Sequence, residues 1–301
     1  MQSMADACTY RGRFAPSPTG ELHFGSLLAA LGSWLRARAA NGAWLVRIED
    51  LDPPREVHGS AESILRMLHA CALDPDEAPM RQGVRRETYA AALQCLRDAG
   101  HVFPCWCSRG DLAARGGVHR GECMPSPDRS REPAWRVHVD DAVIAFKDRL
   151  QGPQRWPLSA EGDFVVKRAD GPFAYQLACA VDDAAQGITE VVRGADLLDS
   201  TPRQVFLLRL LGLPAPAYLH LPVAVDAHGR KLSKSEGAAA VDPCDPRPAM
   251  RAALALLGIP QAALRARAPR TLLRNALSAF EPKALPRAKT LLVQRGETLR
   301  A

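Results

Sequence analysis

Lysine is scarce in this chain of 301 residues: of 39 basic side chains only six are lysine, at positions 147, 167, 231, 234, 283 and 289. Against that arginine-rich background Lys231 and Lys234, three positions apart, single out one loop. Long apolar runs are missing too. The most apolar region, Val205 to Val225, is interrupted by Arg209, Pro214, Pro216 and Pro222, which excludes an unsupported transmembrane helix. The first residues, MQSMADACTYRGR, hold no apolar stretch, so no secretory signal and a cytoplasmic location are expected. Internal repeats and low-complexity tracts are absent, which removes solenoids and disordered linkers from consideration. In a reducing compartment the eight cysteines read as thiols or metal ligands rather than a disulfide framework.

What is present is ordinary for a globular protein with a buried core: 47% hydrophobic and 24% charged residues. A net charge of +6 is compatible with an anionic partner but does not identify one. Arg11 to Ala15 reads as a strand, Pro16-Ser17-Pro18-Thr19-Gly20 as a turn, and the residues from Glu21 as a helix with Leu22, Leu27, Leu28, Leu31 and Leu35 on one face. Asn41-Gly42 ends the helix, and Ala43 to Ile48 forms a buried strand followed by Glu49, Asp50 and Asp52. This βαβ unit opens an α/β fold, a Rossmann-like doubly wound parallel sheet.

Residues 60–72 and 87–99 are expected to be helical. Thr201 is expected to cap a helix that has Pro202 at its first position and runs to Leu211. Four regions result: 9–100, the first half of the Rossmann-like domain; 101–133, an inserted module; 134–240, the remainder of the insertion and the second half of the domain; and 241–301, a short, proline-broken helical C-terminal region.

The inserted module is poor in apolar periodicity and holds Cys105, Cys107, His119 and Cys123. Three thiolates and one imidazole make a complete tetrahedral zinc set, and a metal would fold a segment that lacks a core. Spacing alone leaves free thiols as the alternative. Cys8, Cys71, Cys95, Cys179 and Cys244 are read as core or incidental thiols.

Two elements carry the chemistry. The loop Pro16 to Ser26 joins the first strand to the first helix; Gly20 and Gly25 permit close backbone approach, and the helix start suits a phosphate, with His23 as a further donor. The second element, Lys231-Leu232-Ser233-Lys234-Ser235, brings two ammonium groups suited to charge on a transferring phosphoryl group. Either alone has a bland structural explanation. Together, His23-Phe24-Gly25-Ser26 and Lys231 to Ser235 resemble the paired signatures of class I aminoacyl-tRNA synthetases, and Arg13-Phe14-Ala15-Pro16-Ser17-Pro18-Thr19-Gly20 resembles their glutamyl and glutaminyl branch. The resemblance covers about residues 9–240. Ser26 departs from the usual histidine or glycine, and Leu232 from methionine.

The resemblance implies attack of an amino-acid α-carboxylate on the α-phosphorus of ATP, with Lys234 and His23 as catalytic residues. His23, Gly25, Lys231 and Lys234 would bind ATP, accompanied by Mg²⁺. Arg13, Ala15, Ser17, Glu49, Tyr175 and Arg193 would bind glutamate: arginine forks suit its carboxylates, and Glu49 its ammonium. The family carries a similar zinc module, one structural Zn²⁺ per chain, with tyrosine where His119 stands.

Only residues 236–301 follow the second signature, too few for an anticodon-gripping region. The shortened paralogues that fit are the glutamyl-queuosine tRNA(Asp) synthetases. Similarity to them implies a monomer that transfers glutamate to queuosine in the anticodon stem-loop of tRNA(Asp), away from any membrane. Rival readings are a truncated synthetase charging the 3′ end of tRNA(Glu), a small-molecule ligase working through an adenylate, and a catalytically silent tRNA-binding paralogue.

Overall fold

The structure, a computed structural model, describes residues 9–114, 116–123, 129–226, 228 and 241–292. Strands β1 (Arg11–Phe14), β2 (Ala43–Ile48) and β3 (Met80–Arg81) alternate with helices α1 (Phe24–Ala39), α2 (Ser60–Ala70) and α3 (Arg86–Asp98). After α3 come β4 (Val102–Cys105), α4 (Arg109–Ala113), β5 (Ala134–Val137), β6 (Val143–Asp148), β7 (Gly152–Pro157) and β8 (Val165–Lys167). Helix α5 (Tyr175–Ala185), β9 (Glu190–Gly194), α6 (Thr201–Leu210) and β10 (Ala217–Leu221) return to the main layer, and β11 (Val223–Val225), outside that sheet, follows. Helices α7 (Arg247–Leu256) and α8 (Pro269–Ser278) and strand β12 (Thr290–Leu292) complete the described chain.

The main sheet has the order β3-β2-β1-β9-β10-β6-β7. All its neighbours pair in parallel except the β6–β7 hairpin. Succession runs outward from β1 to β3 in one direction and from β9 to β10 in the other, so the topological switch lies between β1 and β9. A crevice opens at the carboxyl ends of strands at such a point, because their connections depart to opposite faces.

Strand alternation sorts the side chains. Phe14, Trp44, Val46, Ile48, Val192, Leu219 and Leu221 join the core shared with α1, α2, α7 and α8. Leu45, Val191, Tyr218 and Ile144 join the core shared with α3, α5 and α6. By the same parity Arg13, Arg47, Glu49, Arg193, His220 and Asp148 belong to the second face. The first face is closely packed: a Cβ on Gly32 of α1 would stand 2.4 Å from Leu221 Cδ1, so glycine lets the helix settle onto β10.

Some details differ from expectation. Helix α1 begins at Phe24 and not Glu21, because His23 Nδ1 accepts the Ser26 amide at 3.2 Å and stops the helix there. Thr201 does not cap α6: it lies inside the helix, and its hydroxyl turns to Arg193 and His220 instead. The C-terminal region is not purely helical, since β12 pairs in parallel with β11. Met250, Leu254, Leu272 and Leu273 of that region share one core with α1. Strands β4, β5 and β8 form a separate antiparallel sheet that supports the cysteine-bearing stretch.

Candidate active site

The loop between β1 and α1 is pinned along its length. Glu49 N donates to Pro16 O, Val57 N to Pro18 O, each at 2.9 Å, and Val241 N to Leu22 O at 3.0 Å. Gly20, at φ +128°, bonds Ser60 of α2 twice: its amide donates to Oγ at 2.9 Å and its carbonyl accepts from the hydroxyl at 2.5 Å. A positive φ there costs glycine little, which allows the chain to double back into α1.

Beside this loop, at the switch point, lies a cleft of about 510 Å³. Its walls include Arg13, Ala15, Ser17, Glu49, Tyr175 and Arg193 together with His23 and Gly25. Eight sequence-singled positions from β1, β2, α5, β9 and the signature loop therefore meet in one space. Lys231 and Lys234 lie outside the described residues. The segments flanking them do reach the cleft: Val223 and Ala224 line it, and Val241 holds Leu22. A second hollow of about 410 Å³ adjoins, sharing Ser17, Thr19, Glu49, Arg55 and Tyr175 with the first.

The floor is a buried charge network. Asp183 Oδ1 accepts from Arg13 Nε at 3.0 Å and from Arg47 Nη1 at 2.7 Å. Arg47 Nη1 also reaches Gln186 Oε1 at 2.9 Å, and its Nη2 lies 3.4 Å from Glu49 Oε1. Arg13 is 3% exposed, Arg47 0% and Asp183 3%, so these charges interact with little screening by water. Burial alone would raise the Asp183 pKa, but the two guanidiniums outweigh it and hold the carboxyl at about 2. Glu49 moves the other way: burial pushes its pKa up against the pull of Arg47. An ammonium ligand at Glu49 would pull its pKa back down and favour the charged form.

Cys179, read as a core or incidental thiol, is buried and has a specific partner. Its Sγ donates to Glu49 Oε1 at 3.0 Å, and burial raises its pKa well above the ordinary thiol value, so it acts as a neutral donor. Asp183, Arg47 and Cys179 were not assigned roles on sequence grounds. A signal existed for Asp183, since Val181-Asp182-Asp183 places two carboxylates in an otherwise apolar helix. Asp182 is buried as well, accepting from Gln82 Nε2, Arg85 Nε and the Tyr89 hydroxyl at 2.8, 2.7 and 2.6 Å.

Arg193 is held on every side of its fork. Nη1 stands 3.5 Å from the Tyr175 hydroxyl, and Nη2 donates to Thr201 Oγ1 at 2.8 Å and Leu197 O at 3.3 Å. His23, as the cap of α1, uses Nδ1 as acceptor, which puts the proton of the neutral ring on Nε2, 3.0 Å from Ser26 Oγ. That N–H is the one a phosphate oxygen could take.

Away from the cleft, Cys105, Cys107, His119 and Cys123 bring their ligand atoms within 4.8 Å of one another. Sulfurs around one zinc ion at about 2.3 Å are separated by roughly 3.8 Å, so the donor set fits. Neighbours orient the ligands: Asp163 Oδ2 meets His119 Nδ1 at 2.8 Å, leaving Nε2 turned to Cys123 Sγ at 3.6 Å, and Arg136 Nε donates to Cys105 Sγ at 3.3 Å.

The signature loop, the buried arginines and Glu49 thus meet at the crossover of a parallel sheet, where α/β folds bind their ligands. The family described as tRNA synthetases class I (E and Q), catalytic domain, matches residues 9–271, past the second signature and into α8. A curated relative from Xanthomonas axonopodis pv. citri, named Glutamyl-Q tRNA(Asp) synthetase, is 55% identical over 285 residues, which is 94% of this chain and 94% of the relative. One of the same name from Burkholderia cenocepacia is 56% identical over 263 residues, 83% of this chain and 88% of the relative. The chain belongs to this family, the shortened glutamyl-Q branch of the glutamate and glutamine class I synthetases. The crystal structure of a glutamate tRNA ligase from Elizabethkingia meningosepticum, in complex with its amino acid, matches with TM-score 0.80 at 24% identity, covering 97% of this chain and 68% of that one. That likeness speaks for the fold.

Proposed function

We propose that this ligase activates L-glutamate with ATP in the absence of tRNA, then transfers the glutamyl group to the cyclopentenediol of queuosine at the wobble position of tRNA(Asp). The observation that carries the reading is the meeting of Arg13, Glu49, Tyr175 and Arg193 with the His23 loop in one cleft. The name shared by the curated relatives supports the queuosine acceptor over the 3′ end of tRNA(Glu).

In the first step the α-carboxylate oxygen of glutamate attacks the α-phosphorus, the bond to the bridging oxygen breaks, and pyrophosphate leaves. No protein nucleophile takes part, so the side chains work by alignment and by stabilising charge. Arg13 and Arg193 offer guanidinium groups to carboxylate oxygens, Glu49 accepts the ammonium, and the Tyr175 hydroxyl, Ala15 and Ser17 shape the wall. His23 and the backbone at Gly25 seat the phosphates. Lys231 and Lys234 act on the charge that passes to pyrophosphate, with Mg²⁺ accompanying the nucleotide. In the second step a diol hydroxyl attacks the glutamyl carbonyl carbon and AMP departs. The hollow beside Glu49 and Tyr175 gives that acceptor space next to the activated carboxyl group.

The net charge of +6 favours an anticodon stem-loop through phosphate contacts. Zn²⁺, held by Cys105, Cys107, His119 and Cys123, is structural in this reading, because four protein ligands leave no open position. In this reading the enzyme works as a cytoplasmic monomer.

The test is glutamate-dependent ATP–pyrophosphate exchange without tRNA, followed by labelled glutamate offered to tRNA(Asp) with and without queuosine and to tRNA(Glu). Exchange plus label only on queuosine-bearing tRNA(Asp) is the expected result. Label on tRNA(Glu) would replace the acceptor assignment, and absence of exchange would leave a silent binding paralogue.

A further inference from the structure

Three neighbouring strands carry a chain of polar contacts that ends at Arg193. Asp148 closes β6, His220 lies on β10 and Arg193 on β9, and the register places His220 beside Arg193. Strand parity turns all three to the face covered by α5 and α6. His220 Nδ1 meets Asp148 Oδ2 at 2.6 Å, and His220 Nε2 meets Arg193 Nε at 3.1 Å. Exposure is 1% at Asp148, 0% at His220 and 5% at Arg193.

The donor inventory leaves one consistent arrangement. A guanidinium nitrogen can only donate, so His220 Nε2 must be the acceptor and the ring proton must sit on Nδ1, facing Asp148. The Thr201 hydroxyl, 3.1 Å from the same Nε2, is compatible with that tautomer because its single proton can turn to Leu197 O or share the Nε2 lone pair with Arg193. An imidazolium would place an N–H against the Arg193 N–H. Burial, aided by the neighbouring guanidinium, keeps the His220 pKa below its ordinary value despite the Asp148 contact. Asp148 in turn accepts the amides of Leu150, Gln151 and His220, at 2.9, 2.7 and 3.1 Å. Those bonds and the imidazole outweigh its burial and keep it a carboxylate.

We infer that Asp148 and His220 are positioning residues, which lock the His220 ring in one tautomer and so fix the plane and reach of the Arg193 fork in the amino-acid cleft. The inference rests on the reading of Arg193 as a carboxylate-binding residue. It gives the β6–β7 hairpin, at the edge of the main sheet, a part in amino-acid recognition: its terminal carboxylate sets an arginine two strands away.

The experiment compares His220→Asn with His220→Gln in the full chain, reading the glutamate KM and the ATP KM by pyrophosphate exchange. Asparagine keeps a donor near Asp148 but offers no acceptor to Arg193, whereas glutamine can extend a carbonyl to the position of Nε2. His220→Asn should raise the glutamate KM about ten- to a hundredfold, the range for a hydrogen bond to a charged group, with the ATP KM within about twofold of its original value. His220→Gln should recover most of that loss. Histidine-labelled ¹⁵N spectra of the unaltered protein should show His220 protonated at Nδ1 only. Glutamate-dependent exchange with an unchanged glutamate KM in His220→Asn overturns the relay, as does an Nε2–H or doubly protonated ring. Absence of exchange in the unaltered enzyme overturns the substrate reading and the role built on it, so the two failures are told apart.

Discussion

Arg13 and Asp183, 170 positions apart, form a buried ion pair of 3.0 Å at the floor of the cleft, and Asp183 shares the same oxygen with Arg47. Removing one partner of such a group strands charge away from water. Asp183→Asn should therefore destabilise the fold by roughly 3–5 kcal/mol, read from denaturant midpoints at unchanged slope. A change below about 1 kcal/mol would show that the two arginines find other partners.

Acid should reveal the same pair. Because folding lowers the Asp183 pKa to about 2, the folded protein binds fewer protons than the unfolded chain between that value and the ordinary carboxylate range. The contribution is present above the ordinary value and is lost as pH falls through about 2. It amounts to roughly 2 kcal/mol. The stability gap between the unaltered protein and Asp183→Asn should narrow across that window; a gap of constant size would assign the acid sensitivity elsewhere.

Glu49 predicts a pH limb in substrate affinity. Its pKa is raised by burial, and only the carboxylate accepts an ammonium, so the glutamate KM should rise as pH falls through that elevated value while the ATP KM stays level. Cys179→Ala removes a donor to Glu49 and should move the limb to higher pH; Cys179→Ser, which keeps a donor, should leave it near its original place. Identical profiles for all three proteins would remove the thiol from this role.

For the cysteine module, metal analysis should find one zinc per chain. Asp163→Asn disturbs the partner of His119 Nδ1 and should weaken zinc retention about 10–100-fold in chelator competition, as loss of an orienting partner commonly does. Retention equal to that of the unaltered protein would make the Asp163 contact incidental to the metal.

Lys234→Ala should reduce pyrophosphate exchange about 10²–10³-fold, the scale for removing one preorganised charge-stabilising group, with the circular dichroism spectrum unchanged. Exchange at the original rate would take Lys234 out of the mechanism.

Much of this protein was legible before any coordinates. Local pattern fixes the βαβ opening, because the leucines of α1 recur at helical spacing and Ala43 to Ile48 has the continuous apolar character of a strand buried on both faces. Alternation separates the two faces within each strand by itself, but which faces of β1, β2, β9 and β10 coincide, and so the gathering of Arg13, Arg47, Arg193 and His220 on one side, follows only from the strand pairing. Loop composition marks the His23 turn and the four cysteine-module ligands.

Tertiary structure decided the rest. No local pattern states that β9 lies beside β1, yet that neighbour relation creates the switch point and brings Arg193 to the same cleft as Arg13. Cys179 reads as a core thiol in a sequence and becomes a donor to Glu49 only when α5 packs over β2. Asp148, at the end of β6, gains its meaning from β6 pairing with β10. Secondary-structure period is set by neighbours a few residues away, whereas partners for a buried charge are supplied by whichever strand or helix the packed core brings alongside.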